Sequence, residues 1–110
     1  MALALNKFQT ETLEVTTSIQ TANTASTGYT AIVLYAHVTN VTTSAATFTM
    51  THVRSSTTTE IIKDASVPPA DAYVPLDGKL VLETSDSIKI QGSANSSLKL
   101  ILSILETANA

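Results

Sequence analysis

Cysteine is absent from the sequence. That excludes disulfides, thiolate metal sites and a cysteine nucleophile. Tryptophan is absent too, and there are only three tyrosines and two phenylalanines. Most of these rings are expected in the core. Sugar sites favour exposed rings to stack on, so a carbohydrate-binding attachment module is the weakest of the binding readings. Glycine is scarce, at three residues, and forms no phosphate cradle. Positive charge is scarce and unclustered. Lys and Arg number 6 against 9 Asp and Glu, for a net charge of −3. Electrostatic capture of nucleic acid or of an anionic membrane is therefore not expected. Nothing approaches the long apolar run of a membrane-spanning helix. The opening Met1-Ala2-Leu3-Ala4-Leu5 is apolar but shorter than the apolar region of a signal peptide, and no charge precedes it.

What is present is hydroxyl. The chain has 19 Thr and 12 Ser among 110 residues, while charged residues make up only 14%. Typical soluble domains carry about 25% charged residues. Thr suits exposed strand positions. Lys, Glu and Asp are costly to desolvate and are depleted from protein interfaces. A surface poor in them can be surrounded by neighbours at low cost. The length fits one domain with its own core.

Alternation with a period of two predicts strands along most of the chain. Leu13, Val15, Thr17 and Ile19 share one face, and Thr12, Glu14, Thr16 and Ser18 the other. Residues 21–28 read as a loop. Tyr29–Val38 is apolar on both faces, which predicts a central strand covered on both sides. Residues 40–45 read as a turn into Ala46–Thr51, the expected antiparallel partner of the preceding strand. A short strand follows over 58–63. Pro68-Pro69 breaks the pattern by removing two backbone donors. Tyr73–Leu76 is a short extended piece, and Asp77-Gly78 is a turn signal. Two further strands, over 79–83 and 87–91, flank a turn at Thr84-Ser85-Asp86. Leu98–Leu105 reads as a second central strand. About eight short strands predict an all-β antiparallel sandwich or jelly roll. Residues 1–12 are expected to form an N-terminal arm, 13–106 a single β-sandwich domain and 107–110 a tail.

Chemistry-bearing residues do not converge. If residues 29–38 and 46–51 form a hairpin, His37 falls opposite Thr49. His52 is then roughly 10 Å away along the strand. No third ligand is evident, so no metal site is expected. Asp64, Asp71, Asp77, Glu83 and Asp86 all fall in turns or at strand ends, where Asx-type capping is the expected role. No G-x-S-x-G elbow occurs. Asn40-Val41-Thr42 and Asn95-Ser96-Ser97 match the glycosylation pattern but read as accidents of a Ser/Thr-rich chain. In Asp71-Ala72-Tyr73, the aspartate is expected to cap a turn and the tyrosine to plug the core rim. No residue is nominated as catalytic, cofactor-binding or metal-binding, and the chain is not expected to be an enzyme.

One set of segments carries a family pattern. It runs Ile61-Ile62-Lys63-Asp64, Val67-Pro68-Pro69, Asp77-Gly78-Lys79-Leu80-Val81-Leu82-Glu83, Ser85-Asp86-Ser87-Ile88-Lys89-Ile90 and Leu102-Ser103-Ile104-Leu105-Glu106. This resembles small virion structural proteins of tailed bacteriophages, including those infecting cyanobacteria. One departure stands out: Ser85 replaces the Gly of the usual Gly-Asp turn. If the turn needs positive φ there, Ser adds a small strain. The resemblance implies a β-sandwich in the virion, foremost a capsid decoration or cement protein bound to the major capsid protein shell. It also implies self-association into a homo-oligomer. A neck, tail or fibre-attachment component, bound to other virion proteins, is the alternative.

Overall fold

The computed structural model describes residues 6–109. Nine strands follow one another: β1 (Asn6–Glu14), β2 (Gln20–Thr24), β3 (Tyr29–Asn40), β4 (Ala46–Arg54), β5 (Thr57–Val67), β6 (Ala72–Tyr73), β7 (Leu80–Leu82), β8 (Ser87–Gly92) and β9 (Leu98–Ala108). They form two antiparallel sheets. The five-stranded sheet has the order β1-β9-β3-β6, with β7 also paired to β3; the four-stranded sheet has the order β2-β8-β4-β5. The chain is an all-β sandwich, as its alternation predicts.

The core lies between the sheets. β9 contributes Leu98, Leu100, Leu102 and Ile104, and β8 contributes Ile88 and Ile90. β4 contributes Ala46, Phe48 and Met50. Along β3 the buried positions are Ala31 and Val33, then Ala36, Val38 and Asn40. The change of parity falls at a bulge between Val33 and Tyr35. One extra residue there re-aims the strand, so both halves face the core.

Both expected central strands are central: β9 lies between β1 and β3, and β3 lies between β9 and the short strands β6 and β7. Only one face of each is buried, however. The outward positions of β3, including Ile32, Leu34 and Tyr35, are half-buried or exposed. The expected hairpin of residues 29–38 with 46–51 does not form, because β3 and β4 lie in opposite sheets. Asn40 makes that crossing. It is buried, its Nδ2 donates to the carbonyls of Ser44 and Val67, and its Oδ1 accepts from the Thr42 N–H and hydroxyl. A side chain that satisfies the backbone of the connection makes a buried crossing affordable.

The first strand starts earlier than its alternation suggests. Within the expected arm over 1–12, residues from Asn6 onward pair with β9, from Asn6 opposite Thr107 to Glu14 opposite Lys99. Residues 1–5 lie outside the described residues. β1 buries little on either face, so backbone pairing and not apolar alternation specifies it. The expected strand over 12–19 ends at Glu14. Val15 donates to the Leu98 carbonyl of one sheet and Thr16 accepts from Gly92 N–H of the other, so the chain crosses between sheets there. Part of the expected loop over 21–28 is β2, whose small Ala22 is buried. At the other end, β9 runs to Ala108, into the expected tail over 107–110, of which Ala110 lies outside the described residues.

Candidate functional site

The two outer faces of the sandwich differ in chemistry. On the four-stranded sheet, β4 alternates buried Phe48 and Met50 with outward Thr47, Thr49 and Thr51. A shallow groove of about 390 Å³ crosses this face, and its lining includes Thr49, Thr51, Val53, Glu60, Lys63 and Lys89. It is a hydroxyl-rich, mixed-charge surface with one exposed apolar side chain, Ile19, at its lining and no aromatic wall.

The outer face of the five-stranded sheet carries an apolar row among polar positions such as Thr10, Thr12 and Ser103. The register places Phe8 opposite Leu105, Leu105 opposite Ile32, and Ile32 opposite Val81. These four side chains form one row across β1, β9, β3 and β7. Cross-strand neighbours lie about 5 Å apart, so the row is continuous. Phe8 is 73% exposed and Val81 51%. Further along the same face, Tyr35 is 45% exposed and stacks on His37 with centroids 5.9 Å apart. Ile101, also exposed, sits opposite His37. Single exposed apolar residues are ordinary, but contiguous ones mark interaction surfaces.

A charged cluster closes one end of the sandwich. Asp86, 2% exposed, accepts from Arg54 Nε at 3.0 Å and Arg54 Nη2 at 2.8 Å. It also accepts from His52 Nε2 at 3.1 Å and from the Glu83 N–H at 3.0 Å. Arg54 reaches Glu83 as well, at 2.9 Å. The Arg54 guanidinium is the main reason the Asp86 carboxyl is held down at about 2, against an opposing effect of burial. In return, its hydrogen bond and charge attraction with Asp86 raise Arg54 further above its ordinary value. An ionised carboxylate with its oxygens already engaged is a clamp, not a proton donor. Ser85 has φ of 74°, so the turn does require positive φ where the phage-type pattern has Gly.

The other residues weighed from the sequence stay apart. His37 Nδ1 lies 3.1 Å from the Thr39 hydroxyl, in the sheet opposite to that of His52. Among the described residues no cluster of three or more His, Asp or Glu could hold a metal. Asp71 caps Ala72 N–H at 2.7 Å, and Tyr73 packs edge-on against Phe48 at 5.7 Å. Asp64 N–H donates to the Thr49 hydroxyl, and Asp77 is exposed in its turn. Both sequon asparagines bind backbone: Asn40 as above, and Asn95 by accepting from Thr17 N–H. The rings, expected mostly inside, are mostly outside: Phe8, Tyr29 and Tyr35 are exposed, Tyr73 is half-buried and only Phe48 is fully buried. The apolar row escaped sequence reading because its members come from four strands whose register no local pattern encodes. Phe8, alternating with Thr10 and Thr12, was the available signal.

No protein-family model and no curated protein sequence matches the chain. Solved structures do resemble it. One is a disulfide-linked pilus protein of Bacillus endospore appendages: 9% identity, TM-score 0.57, covering 97% of this chain and 89% of that one. Its linking chemistry is closed to a chain without cysteine. Another is from the acid-stable capsid of Helicobacter pylori bacteriophage KHP30: 6% identity, TM-score 0.57, covering 98% and 94%. A third is the Drosophila NLP core, described for pentamer formation and histone binding: 13% identity, TM-score 0.51, covering 89% and 96%. At these identities the likeness is one of fold: the chain shares its architecture with proteins of assembled particles and filaments.

Proposed function

We propose that this protein is a non-enzymatic structural component of a phage virion, foremost a capsid decoration protein that binds the major capsid protein shell. The observation that carries the reading is the sidedness of the surface. One outer face carries an apolar row ready to be covered, and the other is a threonine-rich face suited to water. The phage-like segments in the sequence and the fold shared with a phage capsid protein support the same reading. Asp71 caps a turn and Asp86 is held in a clamp with Arg54 and His52, which fits a structural role. The mechanism is adhesive: the apolar face lies against the shell, and many weak contacts sum over many copies. The protein's contacts are with virion proteins and its own copies, not nucleic acid or membrane.

A second reading, a neck or tail component, is favoured by the fold shared with a pilus protein. Electron cryo-microscopy of the parent particle separates the two. Density over shell joints in hundreds of copies supports decoration. A ring at the tail vertex in a small multiple supports the second reading, and absence from the particle sinks both.

A further inference from the structure

Among the described residues, β1 is the one long sheet edge whose pairing runs without an irregularity, and its charged residues Lys7, Glu11 and Glu14 leave that edge open chiefly to a strand of matching charge. β2 has five residues and a bulge between Thr21 and Asn23. β5 carries two register irregularities, and β6 and β7 have two and three residues. β1 instead keeps nine consecutive pairs with β9 without a shift, and contains neither proline nor glycine. Sheets ordinarily blunt long edges, because their unpaired N–H and C=O groups template another strand.

The side chains of β1 suit a copy of itself. Lys7 and Glu11 lie on one face of the strand, with Gln9 between them; Phe8, Thr10 and Thr12 lie on the other. Consider an antiparallel pair of two β1 strands that keeps both apolar faces on the same side. Centred on Gln9, it sets Lys7 against Glu11 of the second copy, and Glu11 against its Lys7. Centred on Thr10, Lys7 meets Leu13 and both ion pairs are lost. Centred on Glu11, the two glutamates oppose each other, which is unfavourable. The Gln9 register also brings the two Phe8 rings into diagonal positions within aromatic reach. The exposed row Phe8–Leu105–Ile32–Val81 then continues from one copy into the next.

We propose that β1 pairs with β1 of a second copy, antiparallel and centred on Gln9, to give a two-fold dimer with a continuous sheet. The proposal goes beyond the virion reading and does not depend on it, since it concerns the purified chain. Light scattering on the full-length protein is expected to show a dimer. Lys7→Glu or Glu11→Lys alone places like charges across the axis and weakens the dimer roughly tenfold or more. The double variant carrying both reversals restores it. Because the chain has no cysteine, Gln9→Cys places one thiol on each side of the axis and is expected to crosslink on mild oxidation. Thr12→Cys, several positions off the axis, is not. Circular dichroism checks that each variant keeps its strands. A chain that stays monomeric at high micromolar concentration overturns the proposal. So does a dimer indifferent to the single reversals, or crosslinking through Thr12→Cys but not Gln9→Cys.

Discussion

A Cβ atom on Gly92 would lie 2.8 Å from Cγ1 of Val15. Val15 is fully buried and β-branched, so it has little room to turn aside. The contact sits where the chain crosses between the sheets, beside the hydrogen bond from Gly92 N–H to the Thr16 carbonyl. Gly92→Ala is therefore expected to destabilise the fold by about 1–3 kcal/mol, the usual cost of overpacking. Urea unfolding measures it, and an unchanged midpoint refutes the clash.

Asn40→Ala leaves the Val67 and Ser44 carbonyls and the Thr42 donors without their partner. A loss of at least about 2 kcal/mol is expected, because unsatisfied buried groups cost more than a bond is worth. Thermal unfolding tests this. A loss below half that value means water replaces the side chain.

Asp86 makes stability depend on acid. Its folded value of about 2 lies below the ordinary 3.8, so its contribution is present above pH 3.8 and fades as pH falls toward 2. Asp86→Asn should cost about 1–3 kcal/mol at neutral pH, as for hydrogen bonds to charged groups. The difference between the native chain and the variant should shrink between pH 4 and 2. Denaturant titrations across that range provide the check; a constant difference contradicts the ionic role.

Val81→Ser removes an exposed apolar side chain from the outer row. Monomer stability should change by no more than about 0.5 kcal/mol, as for ordinary surface sites. Retention on purified particles lacking the native protein should fall. Co-sedimentation measures it, and full retention would place the binding surface elsewhere.

Much of the sandwich was legible because apolar alternation reports burial directly. β9, with Leu98, Leu100, Leu102 and Ile104 turned inward, is the clearest case. β1 was illegible as a strand because its edge position buries neither face. The β3–β4 relation was misread because adjacency in sequence favours hairpins, whereas buried Asn40 sends β4 to the other sheet. Pairing between strands is a long-range property, and the apolar row across β1, β9, β3 and β7 is made of such pairs. The placement of Asp86 in a turn was legible, but its clamp with Arg54, distant in sequence, was not.

The placement of β1 against β9 has a kinetic consequence. Among the described residues the first strand pairs with the ninth alone, and β3 pairs with that same strand. During synthesis the five-stranded sheet cannot assemble until β9 has left the ribosome. Folding must then close a loop spanning nearly the whole described chain, a slow step for non-local β topologies. A chain cut before β9 would strand β1 and β3 with open edges, prone to stick to whatever strand they meet first.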